Sequence, residues 1–279
     1  MAQIHSPIPE GHMKFSSIRY LPLRLSNQFF LVYHLILDRI QVEKLGSKKE
    51  GYQSPAQPEH GSRWEHEFSH IGRIWGDIPG ELAKIALDYM RIHLLCVNDN
   101  LLLDLGCGYG RDPLFIAGLC PVRIYGIDSS TTAINEARNS AIGKGLDPGM
   151  FHCGNFLAAG DLPRASVVYS SNVYQILTPA ERSAFRELVR NVLKQAGTFF
   201  LSTLSINDPE HKGKGDRVEG EPGSFIEQET GKYLHLSTRE EIARDFAFLT
   251  IIALTELEYH EPRVGGDHHH KSWILIGQQ

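Results

Sequence analysis

The sequence predicts an α/β fold: a doubly wound, mostly parallel sheet of seven strands with an antiparallel hairpin at one edge. Two observations predict the parallel part. Five short apolar runs have strand length: LLLDLG (101–106), VRIYGID (122–128), MFHC (150–153), ASVVYSS (165–171) and TFFLSTL (198–204). Helical spacings lie between most of them, and strands alternating with helices of about 10–15 residues form parallel sheets covered on both faces. A third observation supplies the edge. TIIALTELEY (250–259) and SWILIG (272–277) are separated only by a Gly- and His-rich stretch, so they pair as a hairpin.

Taken in order, the first 63 residues form an appendage. Lys14, Arg19 and Arg24 precede the apolar run Phe29 to Leu37, the charge order of a targeting signal, but no small-residue cleavage site follows. The expectation is an amphipathic helix from about Ser26 to Leu45, packed on the main domain or forming a homodimer with a second copy. Residues 46–63 are polar and rich in Gly, Ser and Pro and read as a linker, leaving 64–279 as the main domain. Leu82, Ile85, Ala86, Tyr89 and Met90 give a helix opening after Pro79. Asp112-Pro113 reads as an N-cap with Pro at the first helical position. Ala133, Ile134 and Ala137 mark the next helix. Thr178-Pro179-Ala180-Glu181 is a capping box, and Ser237 stands in the same relation to Glu240 ahead of a helix near 238–247.

Composition narrows the function classes. The chain has 279 residues, 42% hydrophobic and 22% charged, with a net charge of −5, which suits one large globular domain plus an appendage. Its mild acidity argues against a sequence-independent grip on nucleic acid. No apolar run approaches the roughly 20 residues of a membrane span. The four cysteines (Cys96, Cys107, Cys120, Cys153) contain no CxxC pair. That spacing speaks against a disulfide scaffold and the usual zinc patterns, and it predicts a cytoplasmic protein.

In open α/β sheets the ligand sits beyond the carboxyl ends of the strands. The informative loop there is Asp104-Leu105-Gly106-Cys107-Gly108-Tyr109-Gly110. Glycines let the chain turn and a ligand approach, and a helix start offers free N–H groups. A dinucleotide site asks for a third glycine at position 111, where this chain has Arg111, and Asp104 would repel a pyrophosphate. An acid suits a ligand with positive charge. Asp128 closes the second strand, where a carboxylate can accept from both hydroxyls of a ribose.

These residues resemble the class I S-adenosylmethionine-dependent methyltransferases over about 64–279, which implies a Rossmann-like methyltransferase fold. LLLDLGCGYG is similar to the family's first motif and YGIDSS to its acid-tipped second strand. The resemblance implies cofactor contacts from Asp104, Gly106, Cys107, Gly108, Gly110, Asp128 and Ser129. It implies the same of Asn155 and Phe156 at the adenine, Ser171 near the methyl group, and Trp75 as a cover. Asn155 departs from the family's more usual acid. GCGYGRD and the terminal His-rich hairpin are similar to small-molecule enzymes of the thiopurine and tellurite-resistance type.

The implied activity is methyl transfer to a small-molecule acceptor, with S-adenosylhomocysteine as product and no metal. Three regions are candidates for holding the acceptor. Tyr174 and Asn172 follow the fourth strand. The 205–236 insertion, with His211 among its polar residues, has the length of a lid. His260 and His268-His269-His270 flank the hairpin loop; on an extended segment at most two of the three consecutive histidines share a face. Tyr174, His211 and His268 are the candidate catalytic groups, histidine being suited to proton transfer near neutrality. The nearby acids Glu261 and Asp267 complete no metal spacing. Ser171-Asn172-Val173-Tyr174 lacks the Pro-Pro-aromatic signature of amino-methylating DNA enzymes. Competing readings are a cofactor-binding regulatory protein without transferase activity, another use of the same cofactor such as aminopropyl transfer, and a dinucleotide oxidoreductase.

Overall fold

The computed structural model describes residues 60–228, 230–263 and 266–279. The expected N-terminal helix and most of the linker lie outside them. Sixteen elements follow: α1 (His60–Ile71), α2 (Glu81–Ile92), β1 (Leu101–Leu105), α3 (Arg111–Ala117), β2 (Arg123–Asp128), α4 (Thr131–Gly143), β3 (Phe151–Cys153), β4 (Ala165–Ser171), α5 (Pro179–Val192), β5 (Leu193–Leu204), β6 (Gly215–Arg217), β7 (Ser224–Glu227), β8 (Tyr233–His235), α6 (Arg239–Asp245), β9 (Thr250–Arg263) and β10 (Gly266–Gln278). Helix α1 starts at His60, inside the segment expected as linker.

The main sheet has seven strands in the order β3-β2-β1-β4-β5-β10-β9. Strands β1 to β5 pair in parallel, and β10 runs antiparallel to both β5 and β9. The order reverses between β1 and β4, so the carboxyl ends part there and leave a crevice. Strand alternation divides the core. Leu101, Leu103 and Leu105 join Phe185 and Val189 of α5, Ile242 of α6 and its C-cap Phe246 on one face. Leu102 joins Leu82, Ala86 and Met90 of α2 on the other, with Val167, Tyr169 and Phe200. Period two then turns Asp104 to the same face as Leu102.

The structure corrects several boundaries. Asp112 does not cap α3. Gly110, with a left-handed φ of 78°, holds the N-cap position, and Asp112 lies inside the first turn. Its carboxylate accepts from Gly80 N (2.9 Å) and from the Tyr169 hydroxyl (2.7 Å), a tertiary use that outcompetes capping. The cap of α6 is Thr238, whose side chain accepts from Glu241 N, one residue beyond the expected Ser237–Glu240 pair. Strand β5 begins straight out of α5 instead of at 198. Ala165 pairs with Leu193 and Val167 with Thr198, and the residues between bulge at Ala196 (φ 59°). The His-rich stretch is strand rather than loop, with His269 opposite His260 in the β9–β10 ladder. Cys96 and Cys120 form a disulfide, so only Cys107 and Cys153 are free thiols. Among the described residues no helix is long and apolar enough to cross a membrane.

The capping box at α5 forms as expected: Thr178 accepts from Glu181 N while Glu181 accepts from Thr178 N. This fixes the entry of the helix that buries Phe185 completely against Phe199 and Tyr174. Phe185→Ala should cost about 3–5 kcal/mol of unfolding free energy in a urea titration. A loss under about 1 kcal/mol would contradict the packing described for this face.

Candidate active site

The loop after β1 is shaped by two glycines with specific tasks. Gly106 has φ 83°, and a Cβ there would lie 2.4 Å from Val173 Cγ2. Gly110 also has positive φ, and its Cβ would meet the Phe151 ring at 2.9 Å and Ala137 at 3.0 Å. Only glycine allows this turn to close on Val173 after β4 and on β3 and α4. Asp128 then locks the loop to the end of β2: Oδ2 accepts from Gly108 N and Oδ1 from Ser130 N, both at 2.9 Å. Burial pushes the Asp128 carboxyl above its ordinary value, against the opposing effect of these backbone N–H groups. Each oxygen keeps acceptor capacity for a further donor.

A cavity of 1730 Å³ opens over this loop, and Asp104, Gly106, Cys107, Gly108, Asp128, Ser129, Asn155, Phe156, Ser171 and Trp75 all contribute to its wall. Ligand sites usually run to about 300–1,000 Å³, so the space exceeds what one compact ligand needs. Of the residues expected at the cofactor, Gly110 alone is absent from the wall; it sits beneath the loop as the α3 cap.

Asp104 sets the electrostatics. It is 2% exposed, and burial, reinforced by Asp112 and Asp128, pushes its carboxyl well above the ordinary range. Among the described residues no hydrogen bond reaches its carboxylate. Arg111, the cation that opposes the shift, is engaged elsewhere. Its Nε donates to Asp112 Oδ1 and its Nη1 to Glu261 Oε1, both at 3.0 Å. The wall therefore holds a buried acid without a cationic partner of its own.

The candidate catalytic groups lie apart from this wall. Tyr174 is fully buried in the α5–α6 core. Its hydroxyl donates to Asp245 Oδ2 (2.7 Å) and accepts from Arg186 Nη1 (2.8 Å). Burial and then Asp245 hold it far above the usual phenol range. His211 and His268 also lie outside the cavity wall. His211 Nδ1 is 2.9 Å from Asp208 Oδ1, and His268 Nδ1 is 3.6 Å from Glu210 Oε1. His270, rather than His268, reaches Asp208, at 3.1 Å from Oδ2. Burial works against charge on Asp208, but hydrogen bonds from His211, His270 and the Lys271 backbone outweigh it and hold the carboxyl low.

Several wall residues were not singled out from the sequence. Trp64 and Phe68 of α1 join Trp75 and Tyr109 in an aromatic group with centroids 6.0–6.3 Å apart. Glu65 fastens α1 to the start of α4 by accepting from Ser130 Oγ (2.6 Å) and Thr132 N (3.1 Å). The Tyr109 hydroxyl donates to Gly76 O and accepts from Trp75 N, and burial pushes it up to about 12. On the far side, Asp216, Arg217, Glu219, Glu221 and Tyr233 belong to the 205–236 insertion. That insertion is built as a three-stranded antiparallel sheet, β6-β7-β8. Trp64 and Phe68, one helical turn apart, with Glu65 beside Trp64, were the available signal for α1. The short strands β6–β8 offered none.

Residues 102–197 match the methyltransferase domain family. No curated protein sequence matches the chain. Solved structures share the fold. A S-adenosylmethionine-dependent methyltransferase of Methanosarcina mazei is 24% identical, with a TM-score of 0.57 over 68% of this chain and 96% of the other. A 1,6-didemethyltoxoflavin N1-methyltransferase of Burkholderia thailandensis is 16% identical, with a TM-score of 0.54 over 82% and 93%. TehB of Haemophilus influenzae is 15% identical, with a TM-score of 0.53 over 77% and 67%. The strand order and the family match agree: residues 102–197 carry a methyltransferase domain, and the chain has the fold of the S-adenosylmethionine-dependent methyltransferases.

Proposed function

We propose that the chain methylates a small-molecule acceptor held in the same cavity as the cofactor, between the glycine loop and the β6–β8 insertion. The observation that carries this reading is the continuity of the cavity. One space runs from Asp104 and Asp128, past Ser171 and Asn172, to Glu181, Asp216 and Glu221. When bound, S-adenosylmethionine supplies a methyl group on a sulfonium centre that departs as a neutral thioether. The protein is left with orientation and exclusion of water, which are worth most in effective-molarity terms.

The residues fit those tasks. Asp104 would take the ammonium group, since a buried acid without a cation favours one. Asp128 would accept from the ribose hydroxyls, and Asn155 and Phe156 would border the adenine. The group of Trp64, Phe68, Trp75 and Tyr109 would face the cationic part of the cofactor, where aromatic faces attract positive charge. Asn172 supports an acceptor-positioning role. It holds a left-handed φ of 59°, a conformation that costs energy outside glycine. Its buried side-chain oxygen has no hydrogen-bond partner among the described residues.

The insertion supports a covering role. Lys232 forms an ion pair with Glu67 and lies 4.7 Å over the Trp64 ring, so the residue entering β8 meets α1 across the cavity. The acids Asp216, Glu219 and Glu221 outnumber Arg217 on that wall, which favours a neutral or cationic acceptor over a nucleic-acid chain. A cytoplasmic location belongs to the same proposal, although the Cys96–Cys120 disulfide favours an oxidising compartment. Thiol alkylation in intact cells decides: free Cys96 and Cys120 thiols support the cytoplasm, and a persistent disulfide contradicts it.

Two measurements test the cofactor assignment, and a third tests transfer. Asp128→Asn should weaken S-adenosylhomocysteine binding about 10–100-fold in isothermal titration calorimetry, the worth of charge-assisted hydrogen bonds. Unchanged affinity in the folded variant would remove the ribose assignment. The affinity should also depend on pH through Asp104. The free carboxyl binds its proton more tightly than an ordinary aspartate, and the ammonium requires the carboxylate. Affinity should therefore fall as pH drops below the raised Asp104 value, by up to about tenfold per unit, with proton release on binding. Asp104→Asn should flatten that profile; a wild-type affinity that does not fall on acidification would contradict it. A panel of small amines, thiols and phenols, read by S-adenosylhomocysteine formation, should include an acceptor. Tight cofactor binding with no turnover on any of them would favour the regulatory reading.

A further inference from the structure

Outside the cavity, one cluster of metal-ligating side chains has no part in the reading above. Asp208 lies in the turn that leaves β5, where Asp208 N donates to Ser205 O and Lys212 N donates to Asp208 O. Its carboxylate is fully buried. One imidazole approaches each oxygen, His211 from the same turn at 2.9 Å and His270 from β10 at 3.1 Å. The carboxylate is further oriented by His211 N, donating to Oδ1 at 2.9 Å, and by Lys271 N, donating to Oδ2 at 2.8 Å. The two imidazole rings stack with centroids 5.4 Å apart, and one ligand atom from each of the three residues lies within 4.8 Å of the others. His270 is 4% exposed.

We propose that Asp208, His211 and His270 form a binding site for one divalent transition-metal ion, of the zinc type, that ties the β6–β8 insertion to the core sheet. Two imidazole nitrogens and one carboxylate are a donor set of borderline softness, suited to zinc, cobalt or iron rather than magnesium or calcium. At zinc–nitrogen and zinc–oxygen lengths of about 2.0–2.1 Å, neighbouring ligands in a tetrahedron stand about 3.3 Å apart. Each imidazole nitrogen already stands at about that distance from one oxygen of the carboxylate, 2.9 Å from Oδ1 and 3.1 Å from Oδ2, so small side-chain shifts bring one ligand atom from each residue onto a shared ion. Binding replaces the protons the imidazoles share with the carboxylate, and those protons leave to solvent. Water would complete the coordination from the His211 side, whose side chain is 14% exposed. The Glu227 carboxylate, 3.9 Å from His211 Nε2, stands where a partner can hold a ligand histidine in orientation.

The site's position defines its consequence. Asp208 and His211 lie between β5 and β6, and His270 lies on β10. An ion shared among them closes a bridge from the core sheet to the segment that leads into Asp216 and Arg217 of the cavity wall. The ion would act on the order of that wall and not on the reacting atoms, because none of its three ligands borders the cavity.

The test uses the full chain, stripped of metal by chelator and dialysed, and titrated with cobalt(II) and zinc(II) alone. The expected result is about one equivalent bound at micromolar or tighter affinity. Cobalt should give visible absorption of low-coordinate nitrogen and oxygen ligation, and zinc should raise the melting temperature. His211→Ala and His270→Ala should each weaken binding at least tenfold and abolish the thermal shift. His269→Ala should keep both, since His269 stacks on His260 and pairs with Glu258 in the ladder. Because His270 is buried, circular dichroism checks that its variant folds, and the more exposed His211 variant carries the test if it does not. Absence of specific binding overturns the proposal and leaves a proton-sharing Asp–His cluster. So does binding that survives His211→Ala or is lost only in His269→Ala.

Discussion

The site depends on how one cation is employed. Arg111 opens α3 beside three acids, yet its guanidinium is divided between Asp112 and Glu261 and also donates to Trp75 O. Asp112 in turn holds Gly80 N and the Tyr169 hydroxyl, so α2, α3, β4 and β9 meet in one polar knot. Asp104, at the end of the central strand, is left buried without a counter-charge. A protein does not retain such a group for stability, because burying an unpaired acid is costly. In the proposed function it is a binding determinant: the cost would be offset when a ligand brings the missing positive charge.

The geometry around that acid follows from the sheet. Reversal of strand order between β1 and β4 opens the crevice, and Gly106 lets the chain leave β1 tightly enough to clear Val173. Asp128 reaches across from β2 to hold the loop by Gly108 N. The walls are then added by elements whose order depends on side-chain fastenings. Glu65 docks α1 on the start of α4, and Tyr109 holds the turn at Trp75 and Gly76. The glycine-loop end of the cavity is thus supported by the main sheet, while its far wall is formed by a small separate sheet.

This division explains what could be read from the sequence. The apolar runs and helical spacings are local properties, so the strands of the main sheet, helices α2 to α6 and the edge hairpin were legible, as was the acid-flanked loop. The misplaced α3 cap was not, because Asp112 is claimed by Gly80 and Tyr169, residues 32 and 57 positions away. The histidines near the hairpin look like loop in composition, yet cross-strand pairing of His269 with His260 carries the ladder through them. The partner of His270 is Asp208, 62 residues earlier, which no spacing rule connects. Strands of three or four residues, as in β6–β8, are too short to show a period. The catalytic expectation for Tyr174 came from its place after β4; the side chain instead turns into the α5–α6 core toward Asp245.

The central claim is that Asp104 is kept without a protein counter-charge to meet the cation of the cofactor. It is tested most directly by following the Asp104 side-chain carboxyl by carbon-13 nuclear magnetic resonance, assigned with Asp104→Asn, with and without saturating S-adenosylhomocysteine. The account predicts a free carboxyl that titrates well above the ordinary aspartate range and moves down sharply when the ligand's ammonium is bound. A titration that is ordinary in the free protein, or that does not respond to the ligand, would contradict it.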